Sequence, residues 1–146
     1  MVPMNRRHWL ASGLTALTTG TATARESTPK HAIDIKIDKL VDKGGSTAEM
    51  VETYDQGLKL WDAELNRVYK DLLAMLPDAD KAVLREAQRQ WIAFRDAQLK
   101  FIDACYAHYE GTMFIPMRAS AVMEVTRARA LDLLGRLKMH GEHAAG

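Results

Sequence analysis

Residues 47–76 read TAEMVETYDQGLKLWDAELNRVYKDLLAML, and this stretch decides the fold. Its apolar residues recur every three or four positions, which is the period of one face of an α-helix. They are Met50, Tyr54, Leu58, Trp61, Leu65, Val68, Leu72 and Leu76. Ser46 or Thr47 is placed to cap the start of the helix, and Pro77 ends it. The stretch therefore predicts one amphipathic helix about 45 Å long.

Two further helical patterns follow. Asp78 or Asp80 is placed to cap the first, whose apolar residues are Leu84, Ala87, Trp91, Phe94, Phe101, Ile102 and Cys105. A loop, residues 108–116, then leads to a third helix that is expected to end near Met139. Short connections between long amphipathic helices favour antiparallel neighbours. The sequence therefore predicts an all-α fold, an antiparallel three-helix bundle with an extended N-terminal lead-in.

The N-terminus has the features of an export signal. Residues 1–24 contain Arg6 and Arg7, then a short apolar run and a small-residue cleavage site, which is the order of a signal peptide. The paired arginines precede an aromatic residue and a leucine, so they also resemble a twin-arginine signal, with an ordinary Sec leader as the alternative. We therefore expect a periplasmic or secreted protein with no stable membrane insertion after the signal is removed.

The remaining boundaries follow from composition. Residues 25–45 mix proline, glycine and charged residues with the alternating Ile33, Ile35 and Ile37, so they are expected to form an extended or partly helical lead-in. Residues 46–139 are expected to form the helical domain. Residues 140–146, which contain two glycines, are expected to fray.

Composition limits the function. A chain of 146 residues that is 47% hydrophobic forms one domain with a real core. The leader holds two of its 20 basic residues and none of its 19 acidic residues, so the rest is nearly neutral and has no general attraction for nucleic acid. Cys105 is the only cysteine, which excludes an intramolecular disulfide.

The residues that could perform chemistry are scattered. His140 and His143 are spaced like metal ligands, but they lie near the C-terminus without a third ligand close in sequence. His108 and Glu110 could exchange protons, yet no nucleophile accompanies them. We therefore predict no catalytic site, no metal and no cofactor.

Charge is distributed unevenly along the helices. Between Ser46 and Asn66 there are five carboxylates and one lysine, whereas the third helix is basic. The two helices could attract each other in the packed domain, or they could present faces of opposite charge to a partner. The acidic residues that we expect to bind a partner are Glu49, Glu52, Asp55 and Asp62.

Four other residues form a candidate structural motif. Trp61 and Trp91 lie on the apolar faces of the first two helices, and Trp91 is expected at the centre of its stripe. Arg95 and Asp96 stand at the edge of that stripe. Such an arginine can stack on an aromatic ring or pair with a carboxylate of a neighbouring helix. Recognition of a partner is the alternative role.

Four segments resemble the LprI-type lysozyme inhibitor domain family. They are WDAELNRVY at residues 61–69, AQRQWIAFRDA at 87–97, YEGTM at 109–113 and TRARAL at 126–131, and the resemblance covers residues 46–137. It implies an exported helical domain of bacterial envelopes, some members of which inhibit lysozyme. Members often carry paired cysteines, which this sequence lacks.

The resemblance and the charge pattern together suggest a noncatalytic exported binding protein that inhibits a lysozyme by covering it. Animal-type lysozymes are basic, which suits the acidic first helix. The alternative is a structural or accessory module of the cell envelope, which would use its basic third helix on an anionic wall polymer or on another protein.

Overall fold

The computed structural model describes residues 29–144, which form four α-helices and no strand. Their bounds are α1 (Ala32–Val41), α2 (Thr47–Met75), α3 (Asp78–Tyr106) and α4 (Phe114–Ala144). The all-α class is confirmed, and the three long helices lie where the sequence predicted them. The predicted signal peptide, residues 1–24, lies outside the described residues. None of the described helices is long and apolar enough to cross a membrane.

The lead-in is partly helical, one of the two predicted forms: it contains α1, so the described residues form four helices where three were predicted. Ile33 and Ile37 are one helical turn apart, so both pack on the core, whereas Ile35 is exposed. The ring Nδ1 of His31 accepts a hydrogen bond from the backbone N–H of Ile33 at 3.3 Å and caps the helix. The alternation of isoleucines suggested a strand, but the same positions also satisfy the helical period.

The core lies mainly between α2 and α4, which pack together over a much larger contact area than any other pair of helices. Trp61 is completely buried at its centre. The other buried members of the core are Ile37, Leu65, Val68, Leu72, Leu84, Met123, Ala130 and Leu133. Most of the predicted apolar face of residues 47–76 is therefore buried or partly buried here.

Two features hold α1 against this pair. A Cβ atom at Gly57 would lie 2.6 Å from the sulfur of Met123 and 2.8 Å from Cδ1 of Ile37, so a glycine lets α1 and α4 approach α2 closely. Arg127 of α4 donates two hydrogen bonds to the carboxylate of Asp34 in α1, each 2.7 Å long. The attachment of α1 thus combines close packing with a two-pronged ion pair.

α3 is packed less completely. It lies against α4, and only Leu84 and Ile102 of its apolar residues are fully buried. Trp91 is only half-buried, so the expectation that it lies at the centre of a core face was wrong, and Trp61 occupies that position instead. The contact with α4 alone does not bury all seven of the apolar positions of α3.

The ends of the helices differ slightly from the predictions. Ser46 caps α2 in a reciprocal arrangement with Glu49, as its position suggested. α4 begins at Phe114, before Pro116, and continues to Ala144, whereas it was predicted to end near Met139. The predicted boundary at residue 140 is therefore corrected: Gly141 does not end α4.

We predict that Trp61→Ala lowers the free energy of unfolding by about 3–5 kcal/mol, because it removes a fully buried aromatic side chain. Trp91→Ala should cost clearly less, since part of its ring is already in water. Urea unfolding followed by circular dichroism measures both. Equal losses would show that the two tryptophans share the core, contrary to the structure.

Candidate functional site

A cleft of the described chain lies where α2 begins and the α3–α4 turn closes the domain. Its volume is about 540 Å³, and we call it the turn cleft. Its lining residues are Met50, Tyr54, Tyr106, Met113, Pro116, Met117, Ser120, Ala121 and Glu124. Methionine side chains adapt to many shapes, so such a lining suits a protein surface.

The turn itself is built from stacked aromatic rings. The ring of Tyr109 stacks on Phe114 with centroids 4.8 Å apart, and it meets Tyr106 edge-on at 6.0 Å. Gly111 has a φ of 109°, which favours glycine in this turn. Exposed apolar residues surround the turn: Tyr109, Met113, Ile115 and Met117. A cluster of this kind marks a surface that binds another molecule.

Glu49 and Glu52, two of the acidic residues predicted to bind a partner, lie in the first turns of α2, close in sequence to Met50. Glu49 accepts hydrogen bonds from the backbone N–H of Ser46 at 2.7 Å and from its hydroxyl at 2.8 Å, and these bonds lower the pKa of Glu49. Glu52 is exposed and accepts a hydrogen bond from Gln56 at 3.3 Å. Glu49 is therefore engaged in capping α2, whereas Glu52 remains available at the surface.

The other two predicted carboxylates lie further along α2. Asp55 is exposed. Asp62 is also exposed, accepts a hydrogen bond from Asn66 at 3.2 Å, and lines a second groove of about 380 Å³ together with Lys59 and Arg95. The structure thus places the four acidic residues along one helix but does not gather them into one pocket.

The basic residues of α4 do not neutralise this acidic stretch. Within residues 29–144, no ion pair joins α2 to α4. The arginines of α4 pair elsewhere: Arg118 with Asp103, Arg127 with Asp34 and Glu124, and both Arg129 and Arg136 with Asp132. Glu52, Asp55 and Asp62 of α2 are therefore exposed to solvent and have no cationic partner from α4.

The predicted structural motif is partly as expected. The guanidinium of Arg95 lies 5.5 Å from the ring centroid of Trp91, and that of Arg129 lies 6.0 Å from it. Arg95 donates hydrogen bonds of 3.0 and 2.8 Å to Asp96, its neighbour in sequence. The stacking on an aromatic ring is present, and the carboxylate comes from α3 itself rather than from another helix.

A cluster over Trp61 was not visible from the sequence. The ring of His31 packs on Trp61 with the two ring centroids 4.7 Å apart, and its Nε2 lies 3.6 Å from a carboxylate oxygen of Glu64. The guanidinium of Arg127, which belongs to α4, lies 5.6 Å from the centroid of the indole ring. Hydrogen bonds from Arg67, with a smaller contribution from His31, lower the pKa of Glu64. These residues hold the core together, and their long separation in sequence left no local pattern.

The structure does not bring together the side chains that the sequence offered for proton transfer or metal binding. His108 and Glu110 are exposed in the turn, and Nδ1 of His143 lies 3.0 Å from the carbonyl oxygen of Met139. The part of the chain that the structure describes has no group of three histidine, cysteine, aspartate or glutamate residues arranged to hold a metal ion.

The family described as lysozyme inhibitor LprI matches residues 41–133, which include α2, α3 and most of α4. The chain belongs to this family. The turn cleft lies within the matched region, and so do the four acidic residues of α2. The resemblance found in the four sequence segments is thereby confirmed.

Two relatives of this LprI family member extend the comparison. An uncharacterised protein of Rhizobium meliloti is 30% identical over 92 residues, which cover 54% of this chain and 65% of the relative. A crystallised uncharacterised protein from Burkholderia thailandensis is similar with a TM-score of 0.71 and 25% identity, over 79% of this chain and 58% of that one. The chain thus spans less than two thirds of either relative.

We predict that Ser46→Ala lowers the free energy of unfolding by about 1 kcal/mol, since it removes the hydroxyl from the cap of α2. Glu52→Gln on the same helix should leave stability unchanged, because Glu52 is exposed and outside the cap. Thermal unfolding of both variants measures this. Loss of stability in Glu52→Gln alone would assign it a structural role and remove it from the candidate surface.

Proposed function

We propose that this protein is a noncatalytic exported inhibitor that binds a basic lysozyme and covers its active-site cleft. The turn cleft and the acidic stretch of α2 would form the contact surface. The observation that carries the proposal is that one helix, α2, contributes Met50 and Tyr54 to an apolar cleft and also exposes Glu52, Asp55 and Asp62 to solvent. Membership of the lysozyme inhibitor family supports the choice of partner.

The two parts of this surface would contribute differently to binding. Exposed carboxylates attract a basic partner and raise the association rate, an effect that salt weakens. Buried aromatic and methionine side chains supply most of the affinity at the centre of an interface. Tyr109 and Met113, each more than half exposed, are the side chains best placed to enter the partner's surface.

Occlusion of an enzyme requires no reacting group in the inhibitor. Its free energy comes from burial of apolar surface and from paired charges, which is what the turn cleft and α2 offer. This is consistent with exposed His108 and Glu110 acting as ordinary polar residues of the turn. The protein is therefore proposed to act without a cofactor or a metal ion.

The place of action forms part of the same proposal. Lysozyme attacks the cell wall outside the cytoplasmic membrane, so an inhibitor must be exported to meet it. The signal-like order of residues 1–24 supports a periplasmic or secreted protein. These residues lie outside the described part of the chain, and their support comes from sequence alone.

The alternative, an envelope module that binds anionic wall polymer through α4, receives less support. Such binding needs available cations on that helix. Arg118, Arg127, Arg129 and Arg136 all form ion pairs with carboxylates of this chain. A polymer would have to displace these carboxylates, so the acidic side of the domain is the better candidate surface.

The electrostatic part is tested by changing Glu52, Asp55 and Asp62 together to Gln or Asn. We expect slower association with a basic animal-type lysozyme at low salt and a smaller difference at high salt, as measured by surface plasmon resonance. The matched control changes three exposed carboxylates elsewhere, Asp42, Asp80 and Glu142, to Asn or Gln. The control variant then has the same net charge as the test variant. An equal effect of both triple variants would mean that position is irrelevant and only net charge matters.

The apolar part is tested by Met113→Ser combined with Tyr109→Ser. Both side chains are exposed, so the fold should persist while the complex dissociates at least about tenfold faster. Inhibition of lysozyme should weaken by the same factor in a turbidity assay with wall substrate. Unchanged dissociation would move the contact surface away from the turn cleft, and absence of any binding by the unmodified protein would end the inhibitor proposal.

A further inference from the structure

α3 exposes a continuous apolar face that the fold itself does not cover. Phe94 and Phe101 are 57% and 62% exposed, although α3 lies between two other long helices in the sequence. Around them, residues recur at alternating intervals of four and three: Ala87, Trp91, Phe94, Gln98, Phe101 and Cys105. This is the spacing of a seam by which one helix packs along another. We call these six residues the α3 seam.

The seam carries no charge. Arg89, Asp96, Lys100 and Asp103 lie on the other side of the helix, whereas Arg95 flanks the seam with its guanidinium 5.5 Å from the ring centroid of Trp91. A surface helix normally buries its apolar stripe and exposes its polar one. In α3 both sides are exposed, so the seam resembles a core face that lacks its partner.

A groove lies directly beside the two phenylalanines. It has a volume of about 460 Å³ and runs between the seam and α4. Its walls include Trp91, Phe94, Val125 and Ala128, and its lining also contains one carboxylate and one guanidinium, those of Glu124 and Arg129. One surface therefore carries both a projecting aromatic side chain, Phe101, and an apolar groove that could receive such a side chain.

We propose that two copies of this chain associate through the α3 seam, each placing Phe101 in the groove of the other. An interface between identical copies related by a two-fold axis must be self-complementary, and a projection and a groove on the same surface meet that condition. The six residues of the seam carry no charge, and the groove lining holds one carboxylate and one guanidinium, so two identical copies would not repel each other through an excess of one sign.

The available area is sufficient for a dimer. From Val83 to Cys105 the face is roughly 33 Å long, at about 1.5 Å per residue. With the adjoining strip of α4 it is two helices wide, or on the order of 20 Å, so each copy would bury on the order of 600 Å². Two copies reach the ~1,200 Å² at which specific interfaces begin.

Sedimentation equilibrium of the mature chain, without any lysozyme, tests the proposal. We expect a reversible monomer–dimer equilibrium in the micromolar range. Phe94→Ser combined with Phe101→Ser should weaken it by about a hundredfold, since two aromatic side chains lose their burial. The control, Ile115→Ser with Met117→Ser, removes exposed apolar residues of the α3–α4 turn region and should leave the dimer intact.

Phe101→Lys provides a second variant in case the double substitution disturbs the fold. Its side chain is largely in water, so the monomer should keep its helicity, while a lysine in place of the aromatic side chain that enters each groove should weaken association strongly. A mature protein that remains monomeric throughout the micromolar range would overturn the proposal. So would a dimer with the same dissociation constant in the folded Phe101→Lys variant. Neither result bears on lysozyme binding, which is measured separately.

Discussion

The burial of Trp61 is the interaction on which the rest of the structure depends. Its indole has no exposed surface, with His31 stacked at 4.7 Å and Arg127 at 5.6 Å. These two neighbours come from the N-cap of α1 and from α4, so one side chain of α2 organises three helices. Arg127 is also held by the carboxylate of Asp34, whose hydrogen bonds raise the pKa of the guanidinium further above its ordinary value.

The same arrangement determines the charges at the surface. Because Arg127 pairs with Asp34 and Glu124, and Arg118 pairs with Asp103, these cations of α4 are used within α1, α3 and α4. The carboxylates on the outer side of α2 are left in water. An acidic helix beside an apolar cleft is thus a consequence of how the core is closed, and it gives the domain a surface suited to a basic protein.

Much of the fold could be predicted from the sequence, because amphipathic periodicity is a local signal. The face from Met50 to Leu76 and the cap at Ser46 were read directly from residue spacing. α1 was predicted only as the partly helical alternative for the lead-in, because Ile33, Ile35 and Ile37 fit a strand as well as a helix. Trp61 and Trp91 have equivalent positions in their helices, and only the incomplete cover of α3 distinguishes them.

The candidate surface was less predictable, because it joins residues that are distant in the chain. Met50 and Met113 line one cleft although more than half of the domain's helical length separates them in sequence. The sequence does show the apolar residues from Met113 to Met117, but most of them fall in the predicted loop, so they were not recognised as part of a binding surface. Local charge identified the acidic helix, while the hydrogen bonds between Ser46 and Glu49 show that Glu49 is a cap and Glu52 is not.

The central claim is that the turn cleft is where lysozyme binds, and methyl NMR of the methionines tests it most directly. Met50, Met113 and Met117 belong to the cleft, whereas the exposed Met75 and Met139 lie toward the opposite end of the α2–α4 pair. On titration with a basic animal-type lysozyme, the account predicts shifted or broadened methyl signals for the first three and unchanged signals for the other two. Shifts confined to Met75 and Met139, or no shifts at all, would contradict it.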